Sequence, residues 1–181
     1  MNWLRILTSA LLLVASAVAL ADEPDLAAVS VLHPNLEQVV EIGTVAPVGG
    51  LTSTGQPDKA ALEVFVDSGY VAVVDLRGPD ENRGFDEQAY VEELGMFYES
   101  LPIPDAGAVN LDNAEKLDEI LGRFDGPVLV HCGSGNRVGA LLALRSHLHG
   151  ASDENAIAYG REAGMTRLEG TVQERLDAAG E

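Results

Sequence analysis

Two rhythms of apolar residues alternate along most of the chain. In PDKAALEVFVDSG, Leu62, Val64, Phe65 and Val66 supply an apolar face, Pro57 stands at a first-turn position and Gly69 stops the run. That is the pattern of a helix with both end signals. YVAVVDLR follows, nearly all apolar and β-branched from Val71 to Leu76, as a strand buried on both faces should be. After the loop GPDENRG, FDEQAYVEELG predicts a second helix stopped by Gly95, and MFYESLPIP a strand that Pro102 and Pro104 terminate. NLDNAEKLDEILGRFDG sets Leu111, Leu117, Ile120 and Leu121 at helical spacing. PVLVH (127–131) reads as another buried strand, and VGALLALRSHLHG as an apolar helix closed by Gly150. SDENAIAYGREAG has Ser152 as N-cap with Asp153 and Glu154 in its first turn, and TVQERLDAAG predicts a last short helix.

Upstream, QVVEIGTVAPVGGLTSTGQP is β-branched and glycine-rich and shows no helical period. It predicts one or two short strands with turns between about Val39 and Ser53. Residues 22–37 read as an extended lead-in, and 38–181 as one domain. Residues 1–21 carry one positive charge, Arg5, then an apolar stretch from Ile6 to Leu20 and a small-x-small site at Ala19-Leu20-Ala21. This is the pattern of a secretory signal peptide cleaved after Ala21. The run is short for a bilayer span of ~20 residues, and no cysteine stands near the cleavage site for lipid attachment. An exported protein is therefore expected, periplasmic in a two-membrane bacterium, with no membrane association after cleavage. Alternating helices and strands imply the α/β class: a mainly parallel central sheet flanked by helices on both faces. Ligands in such sheets bind beyond the carboxyl ends of the strands, where Asp75, Arg77, His131 and Cys132 fall.

A formal charge of −18 over 181 residues disfavours DNA, RNA and anionic lipid as partners. It also repels anionic substrates at long range, so an anion site has to be a local feature. Cys132 is the only cysteine. A single thiol cannot form an intramolecular disulfide, which leaves intermolecular pairing, a buried inert thiol or a reactive one.

Its neighbours favour reactivity. HCGSGNR (131–137) lies between a predicted strand and a predicted helix that begins near Arg137. Unpaired amides and the helix dipole favour an anion there. Gly133 and Gly135 let successive amides turn inward around it, and Arg137 adds a planar two-pronged donor. A thiol beside a cation at a helix N-terminus ionises more readily than a free one, so Cys132 is a candidate nucleophile. His131 ends a buried strand and is expected to fix the loop. Arg77 is a candidate substrate ligand, with an ion pair to Glu81 or Asp80 as the structural alternative. His147 and His149 are two apart on a helix and His33 is isolated, so no metal cluster is expected, and no organic cofactor is implied. A Ser134-His131 hydrolase triad is discounted, because the GxSxG elbow is missing.

VLVHCGSGNR resembles the phosphate-binding loop of cysteine-dependent phosphatases. More fully, GQPDKAALEVFVDSGYVAVVDLRGPDEN, FYESLPIPDAG and GPVLVHCGSGNRVGALLAL, taken in order from about Gly55 to Arg145, are similar to the phosphatase-like domain family of beta-lactamase hydrolase-like proteins, of the dual-specificity phosphatase type. The resemblance implies that Cys132 is the nucleophile. It also implies that Gly133, Ser134, Gly135, Asn136 and Arg137 bind the anion and that Asp105 in LPIPD is the general acid. A small anionic or phosphorylated substrate follows. The pattern departs from the family in three places. The loop is C-x-x-G-x-R, one residue shorter than the usual phosphatase loop and like the active loop of rhodanese-type sulfurtransferases. Val138 stands where Ser or Thr commonly follows the arginine. Gly133 stands where the nearest relatives often have Arg. Two alternatives to a phosphatase therefore stay open: a sulfurtransferase carrying a persulfide on Cys132, and a non-catalytic anion-binding or scaffold domain.

Overall fold

A computed structural model describes residues 31–47 and 49–180. The signal peptide expected at 1–21 and the first part of the lead-in lie outside the described residues. Seven helices and four strands follow one another as α1 (Leu36–Ile42), β1 (Leu51–Thr54), α2 (Lys59–Asp67), β2 (Ala72–Asp75), α3 (Glu87–Glu93), β3 (Phe97–Ser100), α4 (Leu111–Leu121), β4 (Val128–His131), α5 (Asn136–Leu148), α6 (Asp153–Glu162) and α7 (Glu169–Ala179), among the described residues. All four strands are parallel, in the order β1-β4-β2-β3. The expected α/β class is what the structure has.

Pleating divides the strand residues between two cores. Ala72, Val74, Val128 and Val130 pack with α4, α5, α6 and α7 on one face. Val73 and Leu129 pack with α1, α2 and α3 on the other. Both faces are covered, which is why β2 and β4 are continuously buried and read as unbroken apolar runs. The helices begin where short polar side chains take up orphan amides. Asp58, Asp86, Asn110 and Ser152 accept from Ala61, Ala89, Asn113 and Asn155, caps of about 1 kcal/mol each.

Three details differ from expectation. The region read as strand around Val39 is helix α1, capped by Asn35 and ended by Gly43 at φ 73°. Its seven residues bury only Val39, too little apolar repetition to display a helical period. The described part of the lead-in continues the sheet where Leu32 bridges Thr52, but it turns helical before residue 37, because α1 begins at Leu36. Pro57 stands one position before the cap of α2 rather than inside its first turn, because Asp58 is the residue whose side chain reaches back.

β4 and β2 are neighbours, in register from Ala72–Val128 to Asp75–His131. The chain leaves β2 toward α3 on one face and leaves β4 toward α5 on the other. Their carboxyl ends therefore open a crevice at the point where the connections diverge, and the loops Gly78–Gly84 and Pro104–Ala108 overhang it.

Candidate functional site

The loop after β4 turns tightly into α5. Gly135 takes φ 81° as the cap residue, and among the described residues no side chain caps this helix, unlike its neighbours. Its first amides are left for another acceptor. β1 holds the loop from the side: the Cys132 amide donates to Thr54 O at 3.4 Å, and Gly55 forms an antiparallel bridge with Ser134. A side chain on Gly55 would press on Gly133 O at 3.3 Å, which accounts for the glycine in GQP. Cys132 is buried at the base of the loop, while Gly133 and Ser134 are exposed. The Asn136 carboxamide points away from the loop. Its Oδ1 accepts from the amides of Thr166 and Arg167 at 2.7 and 3.0 Å, tying the anion loop to the α6–α7 turn. Asn136 can therefore serve an anion through its backbone only.

Arg137 reaches over the crevice. Its Nη1 donates to Glu81 Oε1 at 2.6 Å and to Ile103 O at 2.9 Å, and its Nη2 donates to Glu81 Oε2 at 2.8 Å. Glu81 takes the outer edge of the guanidinium, which leaves the edge formed by Nε and the second Nη2 hydrogen for an anion. The Glu81 carboxyl is pulled down to about 2, first by the Arg137 hydrogen bond, with the Gly78 amide and Arg77 adding to it. Arg137 in turn holds its proton more tightly than an ordinary arginine, through Glu81 first and then through the charge of Cys132.

Asp105 stands across the same opening. It caps the short 3-10 turn Ala106–Ala108 through Oδ1, which accepts from the amides of Gly107 and Ala108 at 2.8 and 3.1 Å. The turn-capping Asp105 also lines a cavity of about 480 Å³ together with Arg137, Asn136, Glu81 and Asp80. The structure thus gathers Arg137, Asn136 and Asp105 around one opening.

Arg77 and His131 are placed elsewhere. Arg77 is buried behind Glu81: Nε donates to Glu81 at 3.2 Å, Nη2 to Asn82 O at 2.9 Å, and Nη1 to Gln56. The ion pair with Glu81 is the contact that occupies it, so its donors support the loop instead of meeting a substrate. His131 lies on the α3 side of the sheet, because β4 alternates and Val130 takes the other face. Its Nε2 is 3.1 Å from Glu87 Oε1 and 3.7 Å from Asp75 Oδ1, with all three side chains fully buried. That location rules out direct contact with an anion in the loop.

Sequence reading missed the buried ionic cluster around His131. Arg83 Nε donates to Asp75 at 2.5 Å and lies 3.6 Å from Glu87, Tyr98 donates to Asp75 at 2.8 Å, and Gln56 donates to Glu87 at 3.0 Å. Burial first, then the hydrogen bond to Asp75, pushes the Tyr98 hydroxyl up and keeps it a donor. Asp75, Glu87 and His131 are close enough to share a cation. Arg83 stands on the other oxygens of the same two carboxylates, Asp75 Oδ2 and Glu87 Oε2, and supplies a positive charge to the cluster from there. The strand end at Asp75 was a visible signal, but Glu87 reads as an ordinary first-turn acid of α3 until the sheet register is known.

The fold recurs in solved structures. A Neisseria meningitidis protein assigned as a phosphatase superposes with a TM-score of 0.60 at 25% identity, over 71% of this chain and 92% of that one. The fold is that of the cysteine phosphatases. A Shewanella putrefaciens structure of the same type has a TM-score of 0.57 at 18% identity, over 80% of this chain and 96% of that one. Pseudomonas aeruginosa TpbA, solved with phosphotyrosine, has a TM-score of 0.50 at 20% identity, over 72% and 86%. In sequence, the phosphatase-like chain is 32% identical over 104 residues to a beta-lactamase hydrolase-like protein of Xylella fastidiosa. That match takes in 55% of this chain and 24% of the relative, so the chain spans under a quarter of the relative's length. No family model matches.

Proposed function

We propose that the protein is an exported cysteine-dependent hydrolase of phosphoric monoesters. The observation that carries the proposal is the convergence of Arg137, the start of α5 and Asp105 on one opening, next to the loop that carries Cys132. The Cys132 thiolate attacks phosphorus, forming an S–P bond as the P–O bond to the leaving group breaks. Loop amides and the free edge of Arg137 hold the three non-bridging oxygens. Asp105, as the acid, gives its proton to the leaving oxygen. Water then attacks the phosphocysteine, Asp105 takes a proton from it, and the S–P bond breaks to release inorganic phosphate and the thiolate. The pocket suits a small phosphorylated group, in keeping with the phosphotyrosine bound by TpbA. The expectation of export rests on residues 1–21.

One observation favours a second reading. Val138 is fully buried, so no hydroxyl follows Arg137 to assist the thiolate as leaving group. With the short loop, that suits a persulfide carrier. The two readings separate on reduced protein, with Cys132→Ser as control, assayed with an aryl phosphate and for thiosulfate-to-cyanide transfer. The phosphatase reading expects phosphate release that depends on Cys132 and falls ~100-fold in Asp105→Asn. Cys132-dependent thiocyanate, indifferent to Asp105→Asn and without phosphate release, overturns it.

A further inference from the structure

The opening beside Arg137 and the first turn of α5 is acidic. Asp80, Glu81 and Asp105 line it, against Arg137 as the single basic side chain in its wall. Glu81 and Arg137 are bonded to each other. Asp80 is exposed and, like Asp105, makes no ion pair among the described residues. Arg167 sits at the neighbouring α6–α7 turn, but it is Leu168 of that turn that lines the opening. The molecule as a whole adds a formal charge of −18. An incoming phosphate therefore has its charge met only at the bottom, by the loop amides and the free edge of Arg137. With Glu81 paired to Arg137 and Asp105 carrying the proton it donates, Asp80 is the carboxylate left uncompensated beside whatever is attached to that phosphate.

Building on the hydrolase reading, we infer that this wall selects phosphate groups with neutral or cationic surroundings and rejects those beside a second anion, with Asp80 as the selecting residue. The substrate class is a phosphorylated side chain or aryl group in a basic or neutral context. Nucleoside polyphosphates, multiply phosphorylated lipids and phosphopeptides with acidic flanks are disfavoured. Discrimination arises through repulsion of the wrong partner as much as attraction of the right one. It weakens with salt, because Asp80 is exposed.

The test uses three phosphotyrosine peptides of equal length, flanked by arginine, alanine or glutamate. Their binding to Cys132→Ser is measured by calorimetry, and their turnover by the wild-type chain is measured alongside. The expected order is arginine over alanine over glutamate, with about tenfold between the extremes at low salt. In the Cys132→Ser background, Asp80→Asn narrows that ratio and Asp80→Lys narrows it further. Equal affinity for the three peptides, or a ratio unmoved by Asp80→Lys, overturns the inference. The binding order without phosphate release overturns the hydrolase reading alone. Failure of every peptide to bind overturns both.

Discussion

Glu81 clasps Arg137 through both carboxylate oxygens, at 2.6 and 2.8 Å, although 56 residues separate them. The clasp sets the plane of the guanidinium and turns its remaining edge toward the cysteine loop. Gly78 and Arg77 hold Glu81 in turn, so the orientation of the Arg137 guanidinium is decided by the loop after β2. Glu81→Gln keeps the shape but loses the charge and half of the paired acceptance. Affinity of the Cys132→Ser variant for inorganic phosphate should fall about tenfold when Glu81→Gln is added. Calorimetry checks this, and unchanged affinity would mean that Arg137 orients itself.

The same pair makes stability depend on pH. Glu81 ionises at about 2 in the folded protein against an ordinary 4.5. A lowered folded value contributes stability that is complete above 4.5 and is lost as pH falls toward 2. Thermal midpoints of the wild type should therefore drop more steeply between pH 4.5 and 2 than those of Glu81→Gln. The side chain is about one-third exposed, so solvent reduces the amplitude below that of a buried pair.

Behind the loop, His131, Glu87, Asp75 and Arg83 form one buried unit. Removing Glu87 takes the nearer carboxylate from buried His131 and one acceptor from Gln56, while Arg83 keeps Asp75, and Glu87→Ala should cost about 1–3 kcal/mol in urea unfolding. Glu87→Gln keeps an acceptor for Gln56 and should cost less. A loss under 1 kcal/mol for Glu87→Ala would show that water enters and solvates the cluster.

Helices α5 and α6 meet through glycines. A β-carbon on Gly139 would lie 2.5 Å from Gly160 O, and one on Gly160 would lie 2.8 Å from the Ala143 side chain. Gly139→Ala should force the helices apart and destabilise by about 1–3 kcal/mol, despite alanine's better helix propensity. Denaturant melts of Gly139→Ala and of Gly170→Ala, which has open space around it, give the comparison.

Gly135 carries two constraints, φ 81° and the His33 ring, which a β-carbon would meet at 2.5 Å. Gly135→Ala should cost more than the 1–2 kcal/mol of a left-handed residue alone. His33→Ala should restore the steric part only. A double-mutant cycle reads the difference, and strict additivity would show that His33 yields freely.

Much of this was visible along the chain. The alternation of apolar helices and β-branched runs, with Ser152 standing before one of the helices, marked out a parallel α/β sheet. The strand, glycine loop and helix around Cys132 marked its carboxyl edge as the anion site. Helix α1 was hidden because LEQVVEI is short and β-branched, and its signals were the flanking Asn35 and Gly43 rather than any period.

Local sequence determined the elements and the chemistry of the loop, because periodicity, capping and a nucleophile beside glycines and arginine act over a few residues. Long-range pairing decided what each charged side chain does. Strand register sets Asp75 beside His131, and the pleat turns that histidine away from the loop toward Glu87. The fold of the β2–α3 loop brings Glu81 to Arg137 and occupies Arg77 in support. Such pairings depend on which strands become neighbours, which no local stretch of sequence specifies.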